Sequence, residues 1–185
     1  MKKYNFTLSE LQESSLKRMR EMTACILALS PGCGKTITVL YHVENDLLKD
    51  NDNKCIFFIP KSARAAFKKE LDTKLEIPSS DYIFVTAGKN FTYSDLVQRR
   101  YIIVENSVAN KYLEDLISLA NNNTCHLVID EAHSLQNPQS VFAKAAWEVR
   151  CYCKKIIAMT ATPLLNDIEG LFNVCHFVYP RAFVS

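Results

Sequence analysis

Ser30-Pro31-Gly32-Cys33-Gly34-Lys35-Thr36 is the stretch that decides the fold. The apolar run Cys25-Ile26-Leu27-Ala28-Leu29 leads into it, and a helical pattern leaves it from Thr36 to Leu48. Strand, glycine-rich turn and helix, in that order, predict a loop that wraps phosphate. Gly32 and Gly34 let the backbone curl so that its N–H groups point inward. The N-terminus of the following helix adds a partial positive charge. Lys35 supplies a full charge for the β- and γ-phosphates of a nucleoside triphosphate, and the Thr36 hydroxyl suits Mg²⁺. Cys33 fills the position between the two glycines. The general pattern G-x-x-x-x-G-K-[ST] has a glycine where this chain has Leu29, so only its second half is met.

A second motif lies downstream. Cys125-His126-Leu127-Val128-Ile129 is a buried-type strand that runs into Asp130-Glu131-Ala132-His133. Hard Mg²⁺ prefers carboxylate and water oxygens, so Asp130 is a candidate metal ligand. Glu131 is a candidate general base for an attacking water. His133 is a candidate for coupling the nucleotide to another site. The third piece is Ile156-Ile157-Ala158-Met159-Thr160-Ala161-Thr162-Pro163, a strand that ends in two hydroxyls and a proline.

These three motifs, in this order, resemble the first motor domain of superfamily-two helicases. Thr160-Ala161-Thr162-Pro163-Leu164-Leu165-Asn166 is most similar to the Swi/Snf-like branch, the DNA-translocating chromatin-remodelling and repair ATPases, which has a second glycine where this chain has Ala161. The resemblance implies a RecA-like P-loop NTPase domain, ATP and Mg²⁺ as ligands, and double-stranded DNA as the nucleic-acid partner. It implies that Gln12, in Leu8-Ser9-Glu10-Leu11-Gln12, reads the adenine edge. It assigns Thr160 and Thr162 to coupling. Phe57-Phe58-Ile59-Pro60-Lys61-Ser62 resembles the segment that contacts the nucleic-acid backbone, which makes Pro60, Lys61 and Arg64 the candidate contacts. The pattern departs from the family at Ile103-Val104-Glu105-Asn106-Ser107.

Composition agrees without deciding. The 185 residues suit one domain, and 48% apolar content allows a sizeable core. No run of about 18 apolar residues is present, so no membrane helix is expected. The polar start is unlike a secretion signal. Seven cysteines, an odd number scattered through strands and helices, suit reduced thiols and a cytoplasmic location, or a host cytoplasm or nucleus for a viral protein. The Asn- and Lys-rich turns and the compact motif spacing suit a viral or phage source. Cys151-Tyr152-Cys153 is too isolated for a zinc site. A net charge of +2 does not itself announce a nucleic-acid binder. Locally, Lys61, Arg64 and Lys68 recur at helical spacing, with Ala65, Phe67 and Leu71 expected to pack elsewhere. Arg99-Arg100 and Lys154-Lys155 are expected to serve solubility.

Strands are expected near 24–29, 55–59, 82–86, 101–104, 125–130 and 155–159, and helices near 35–49, 62–74, 107–120, 139–150 and 166–178. A first helix is expected from the capping box Thr7-x-x-Glu10. This alternation predicts an α/β domain with a mainly parallel sheet and helices on both faces. The whole chain, 1–185, reads as one N-terminal RecA-like helicase domain with the second motor domain absent. The partner half is expected in the same protein or in another chain. A non-motor nucleotide-dependent binding module, or a regulator that pairs with another motor, stays open as the alternative.

Overall fold

Valine, isoleucine and phenylalanine crowd the expected strands, and each of those segments forms one. The computed structural model describes residues 4–50, 52–161 and 168–183. Strands β1 (Ala24–Ala28), β2 (Asn53–Ile59), β3 (Tyr82–Val85), β4 (Tyr101–Glu105), β5 (Thr124–Ile129) and β6 (Lys155–Thr160) make one sheet in the order β1-β6-β5-β2-β4-β3. Every pairing is parallel. Such a sheet needs cover on both faces, which is why its strands are nearly continuous apolar runs.

Alternate residues of each strand feed two cores. Cys55, Phe57 and Ile59 of β2 join one of them, Ile56 and Phe58 the other. The first core is closed by α1 (Glu10–Glu21), α2 (Lys35–His42) and α3 (Arg64–Lys69), through Leu16, Met19, Val39, Leu40 and Phe67. The second is closed by α4 (Tyr93–Val97), α5 (Leu113–Asn122), α6 (Val141–Arg150) and α7 (Ile168–Val178). The expected α/β class with helices on both faces is what the structure has. Cys25, Cys55 and Cys125 are buried in strands, as small hydrophobes.

Several local expectations are corrected. The first helix starts two residues later, because Ser9 rather than Thr7 is its cap. The Ser9 hydroxyl accepts from the Gln12 N–H, and Gln12 Oε1 accepts from the Ser9 N–H. The helices expected at 35–49 and 62–74 do not run through as α-helix. Each ends in a π turn, Val43–Leu47 and Glu70–Lys74, and the second opens with a 3₁₀ turn at Lys61–Ala63. The helix expected at 107–120 begins only at Leu113, after a 3₁₀ turn at Asn106–Val108. The α4 helix has no counterpart among the expected helices; its cap is a Thr92–Asp95 box. Ala65 is exposed instead of packed, while Phe67 and Leu71 are buried.

The basic pairs are not mere solubilisers. Lys155 is buried and its ammonium donates to the Met19 carbonyl at the end of α1. The Arg100 guanidinium donates to the Leu48 carbonyl and lies 3.9 Å from Glu44 and 3.7 Å from Asp81. These cations satisfy carbonyls left over where helices end. They tie the helices to the amino-terminal edge of the sheet, opposite the loop at residues 30–34.

Candidate functional site

Strands β1 and β5 carry the two halves of the site, and only β6 lies between them. The loop after β1 turns over the carboxyl end of the sheet, where open α/β sheets bind ligands. Gly34 is the N-cap of α2, with φ +74° and ψ 37°. The left-handed backbone needs glycine, and a Cβ there would lie 2.3 Å from Gln12 Nε2 and displace that amide from the loop. Gly32 is also left-handed, at φ +80°, with nothing within 4 Å of where its Cβ would stand. Leu29 needs no such freedom. The only described non-glycine residues with positive φ are Glu76 and Glu131, which explains why a leucine serves where the general pattern has glycine.

The Lys35 ammonium folds back onto the loop, donating to the Leu29 carbonyl at 2.8 Å and the Ser30 carbonyl at 3.4 Å. Gln12 Nε2 donates to the Cys33 carbonyl at 3.2 Å, while its Oε1 holds the Ser9 N–H. One amide thus joins the start of α1 to the loop, and Gln12 stands against Gly34.

Asp130 continues β5, its N–H donating to the Phe58 carbonyl at 2.8 Å, and it is buried. Burial first, and the neighbouring Glu131 charge second, push its carboxyl up to about 6, against the Glu131 N–H and the Lys35 and His133 charges. Glu131 adopts the left-handed region, φ 51° and ψ 63°, and caps the 3₁₀ turn Ala132–Leu135. That backbone costs a non-glycine residue on the order of 1–3 kcal/mol, a kind of strain that clusters at functional sites. His133 Nδ1 lies 3.2 Å from Glu131 Oε2. Lys35, Thr36, Asp130, Glu131 and Ala161 line a single cleft of about 470 Å³. Thr160 ends β6 beside Ala28 and is buried. Thr162, and with it Pro163 to Asn166, lies outside the described residues.

Pro60 follows β2 in extended conformation, φ −67° and ψ 150°, and directs the chain into the turn that carries exposed Lys61. The Arg64 guanidinium pairs with Glu105 at 3.0 Å, and Glu105 is only 2% exposed. The segment that departs most from the family pattern therefore supplies the partner of a candidate nucleic-acid contact. Pairing across two parallel strands brings them together, since Ile59 is opposite Glu105.

The residues fit a magnesium nucleotide. Thr36, Asp130 and Glu131 offer oxygen donors to the cleft, as a hard cation requires, and Lys35 adds a cation for phosphate. A divalent cation beside Asp130 would also favour the charged carboxylate that burial disfavours. Asp130 is protonated in both folded and unfolded chains below its ordinary value of 3.8. Its contribution to stability is then lost as pH rises through about 6. Without Mg²⁺, Asp130→Asn is therefore expected to gain on wild type by roughly 3 kcal/mol between about pH 4 and about pH 7. Denaturant unfolding at the two pH values measures this; a difference that does not change with pH contradicts it.

A family model described as SNF2-related domain matches residues 11–185. The chain belongs to the SNF2-related domain family. This SNF2-related domain is 27% identical over 165 residues to the ATP-dependent helicase BRM of Arabidopsis thaliana, covering 85% of this chain and 7% of the relative. It is 28% identical over 170 residues to a protein of Acanthamoeba polyphaga mimivirus, covering 90% of this chain and 32% of that protein. The chain thus spans under a third of either relative. Among solved structures, it superposes on the Sulfolobus solfataricus SWI2/SNF2 ATPase core in complex with double-stranded DNA. The TM-score is 0.74 at 24% identity, over 97% of this chain and 38% of that one. The likeness gives the fold, a RecA-like domain.

Proposed function

We propose that this SNF2-related domain is the ATP-binding half of a nucleic-acid translocase, with duplex DNA as its track. One observation carries the reading. The sheet order puts Lys35 and Thr36 after β1 and Asp130 and Glu131 after β5 into one cleft, though about a hundred residues separate them in sequence. ATP with Mg²⁺ supplies an electrophilic γ-phosphorus whose charge the cation shares. Lys35 leaves its loop carbonyls for the phosphates, and the N–H groups around Gly32 and Gly34 point at the same anion. Thr36 and Asp130 hold the cation. Glu131, directed out of the strand by its left-handed backbone, takes the proton of the attacking water. Gln12 stands at Gly34, where it bounds the space for the base. His133, beside Glu131, Thr160, at the end of β6, and Thr162, beyond it in sequence, report the state of the site to a second RecA-like domain, which supplies arginine fingers.

Lys61 and Arg64, entered through Pro60, face a phosphate backbone. Topology adds Lys89 and Lys111, exposed in the loops after β3 and β4 at the same carboxyl edge. Periodicity could not find those two because each lies alone in its own loop. Phosphate contacts of this kind position without reading sequence. Lys61→Ala is expected to weaken duplex binding about equally for any sequence and to lower the slope of log K against log salt by about 1. Fluorescence anisotropy at several salt concentrations measures it, and an unchanged slope removes Lys61 from the interface.

The reading extends to a reducing compartment, the cytoplasm or a host cytoplasm or nucleus, supported by buried thiols that pack as small hydrophobes. It extends to a viral or phage source, supported by the asparagine- and lysine-rich turns. The test of function is ATP turnover with and without duplex DNA. Binding with slow turnover is the expected result, because the arginine fingers belong to the second domain and are worth about 10³–10⁵ in rate. DNA-stimulated turnover at several per second would contradict the half-site, and duplex binding that responds to nucleotide with no hydrolysis at all would favour the non-motor, nucleotide-dependent module.

A further inference from the structure

Glu70 lines the same cleft as Thr36, Asp130 and Glu131, although it belongs to none of the three motifs. Its Oε2 is shielded from solvent and has no hydrogen-bond partner. A carboxylate oxygen in that condition is costly, and native structures keep few of them. Glu70 is also the first residue of the π turn Glu70–Lys74, closed by the Leu75 N–H on the Glu70 carbonyl at 3.1 Å.

The topology says which end of the cleft Glu70 serves. Its segment follows β2, which pairs with β5, the strand that presents Asp130. Gln12 comes from α1, which packs on α2 and β1 at the other side of the sheet. The turn that carries Glu70 also packs on α2, the helix whose first turn holds Thr36, and this points Glu70 to the metal end of the cleft. Ala63 of the same segment lines the cleft beside it. The phosphate oxygens expected there are anionic acceptors, which a carboxylate repels. Magnesium keeps several of its waters when it binds, and those waters donate. We propose that Glu70 accepts hydrogen bonds from the water shell of the divalent cation held by Thr36 and Asp130. It is a positioning residue that raises cation affinity in the nucleotide complex, and this rests on the ATP reading above.

The test is Mg²⁺-dependent ATP binding by calorimetry for wild type, Glu70→Gln and Glu70→Ala, with Mn²⁺ in place of Mg²⁺ for electron paramagnetic resonance. Partners of a metal site of this kind are worth 10–100-fold in metal affinity, so both variants are expected to need at least about 10-fold more Mg²⁺ for half-maximal binding. Binding in EDTA is expected to be unchanged or tighter, since a negative charge has left the cleft, and the Mn²⁺ signal is expected to change shape. A merely structural role would weaken binding equally with and without metal. Glu70→Gln keeps the side-chain shape and decides the matter if Glu70→Ala unfolds. An unchanged Mg²⁺ requirement in a wild type that binds ATP overturns the role of Glu70 alone. A wild type that binds no ATP at any Mg²⁺ concentration overturns the nucleotide reading, and this inference with it.

Discussion

Glu131→Gln is expected to leave ATP binding intact and to lower turnover by about 10²–10⁴-fold, the usual contribution of a general base. The substitution keeps the shape of the side chain and its reach into the cleft, but a carboxamide cannot take the proton of water. A second consequence distinguishes this from misfolding. The Glu131 charge is the second-largest cause of the raised Asp130 value, so its removal returns Asp130 towards the ordinary carboxylate range. Mg²⁺ binding in Glu131→Gln is therefore expected to persist to lower pH than in wild type. Single-turnover hydrolysis, with Mg²⁺ binding followed against pH, measures both effects. Turnover equal to wild type would remove Glu131 from the chemistry.

The largest effect on stability is expected from Phe57→Ala. Phe57 stands in the middle of β2, opposite Ile103 on one side and Val128 on the other, and it is fully buried. Its ring lies 6.2 Å from that of Tyr101, nearly parallel at 18°, and meets Phe67 of α3 at 5.8 Å and 73°. Removing it leaves a cavity between the sheet and the segment that carries Lys61, Arg64 and Glu70. The expected loss is about 3–5 kcal/mol, a large part of a typical domain's total. Ile168, 86% exposed at the start of α7, is the control. Ile168→Ala is expected within about 0.5 kcal/mol of wild type. Denaturant midpoints compare the two, and equal losses would mean that the sheet core does not carry the stability.

The parts of the site that are local in sequence were legible as sequence. Loop 30–36 declares itself because glycine, lysine and threonine have one job in common at that spacing. Asp130 and Glu131 alone read as a solvated strand end; they become candidates because the chain also carries Lys35-Thr36 after another strand. What stayed hidden depends on the crossovers. Glu105 meets Arg64, and Glu70 reaches the cleft, only because β2 lies between β4 and β5. Lys155 and Arg100 read as solvated charge, since nothing in their neighbours announces that a helix end will stop above them. Thr7-x-x-Glu10 and Ser9-x-x-Gln12 both satisfy the capping-box pattern, and the sequence alone does not rank them. The structure chose Ser9, which frees Gln12 to face the loop. The π turns at 43–47 and 70–74 leave no trace in an apolar pattern that differs from an α-helix by one residue.

The central claim is that Lys35 and its loop hold a nucleoside triphosphate, and calorimetric titration of wild type and Lys35→Ala with ATP and Mg²⁺ tests it most directly. Saturable binding by wild type, weakened about 10- to 100-fold in Lys35→Ala by the loss of charge-assisted bonds to phosphate, is the predicted result. Absence of binding in wild type, or equal binding by both proteins, would contradict it.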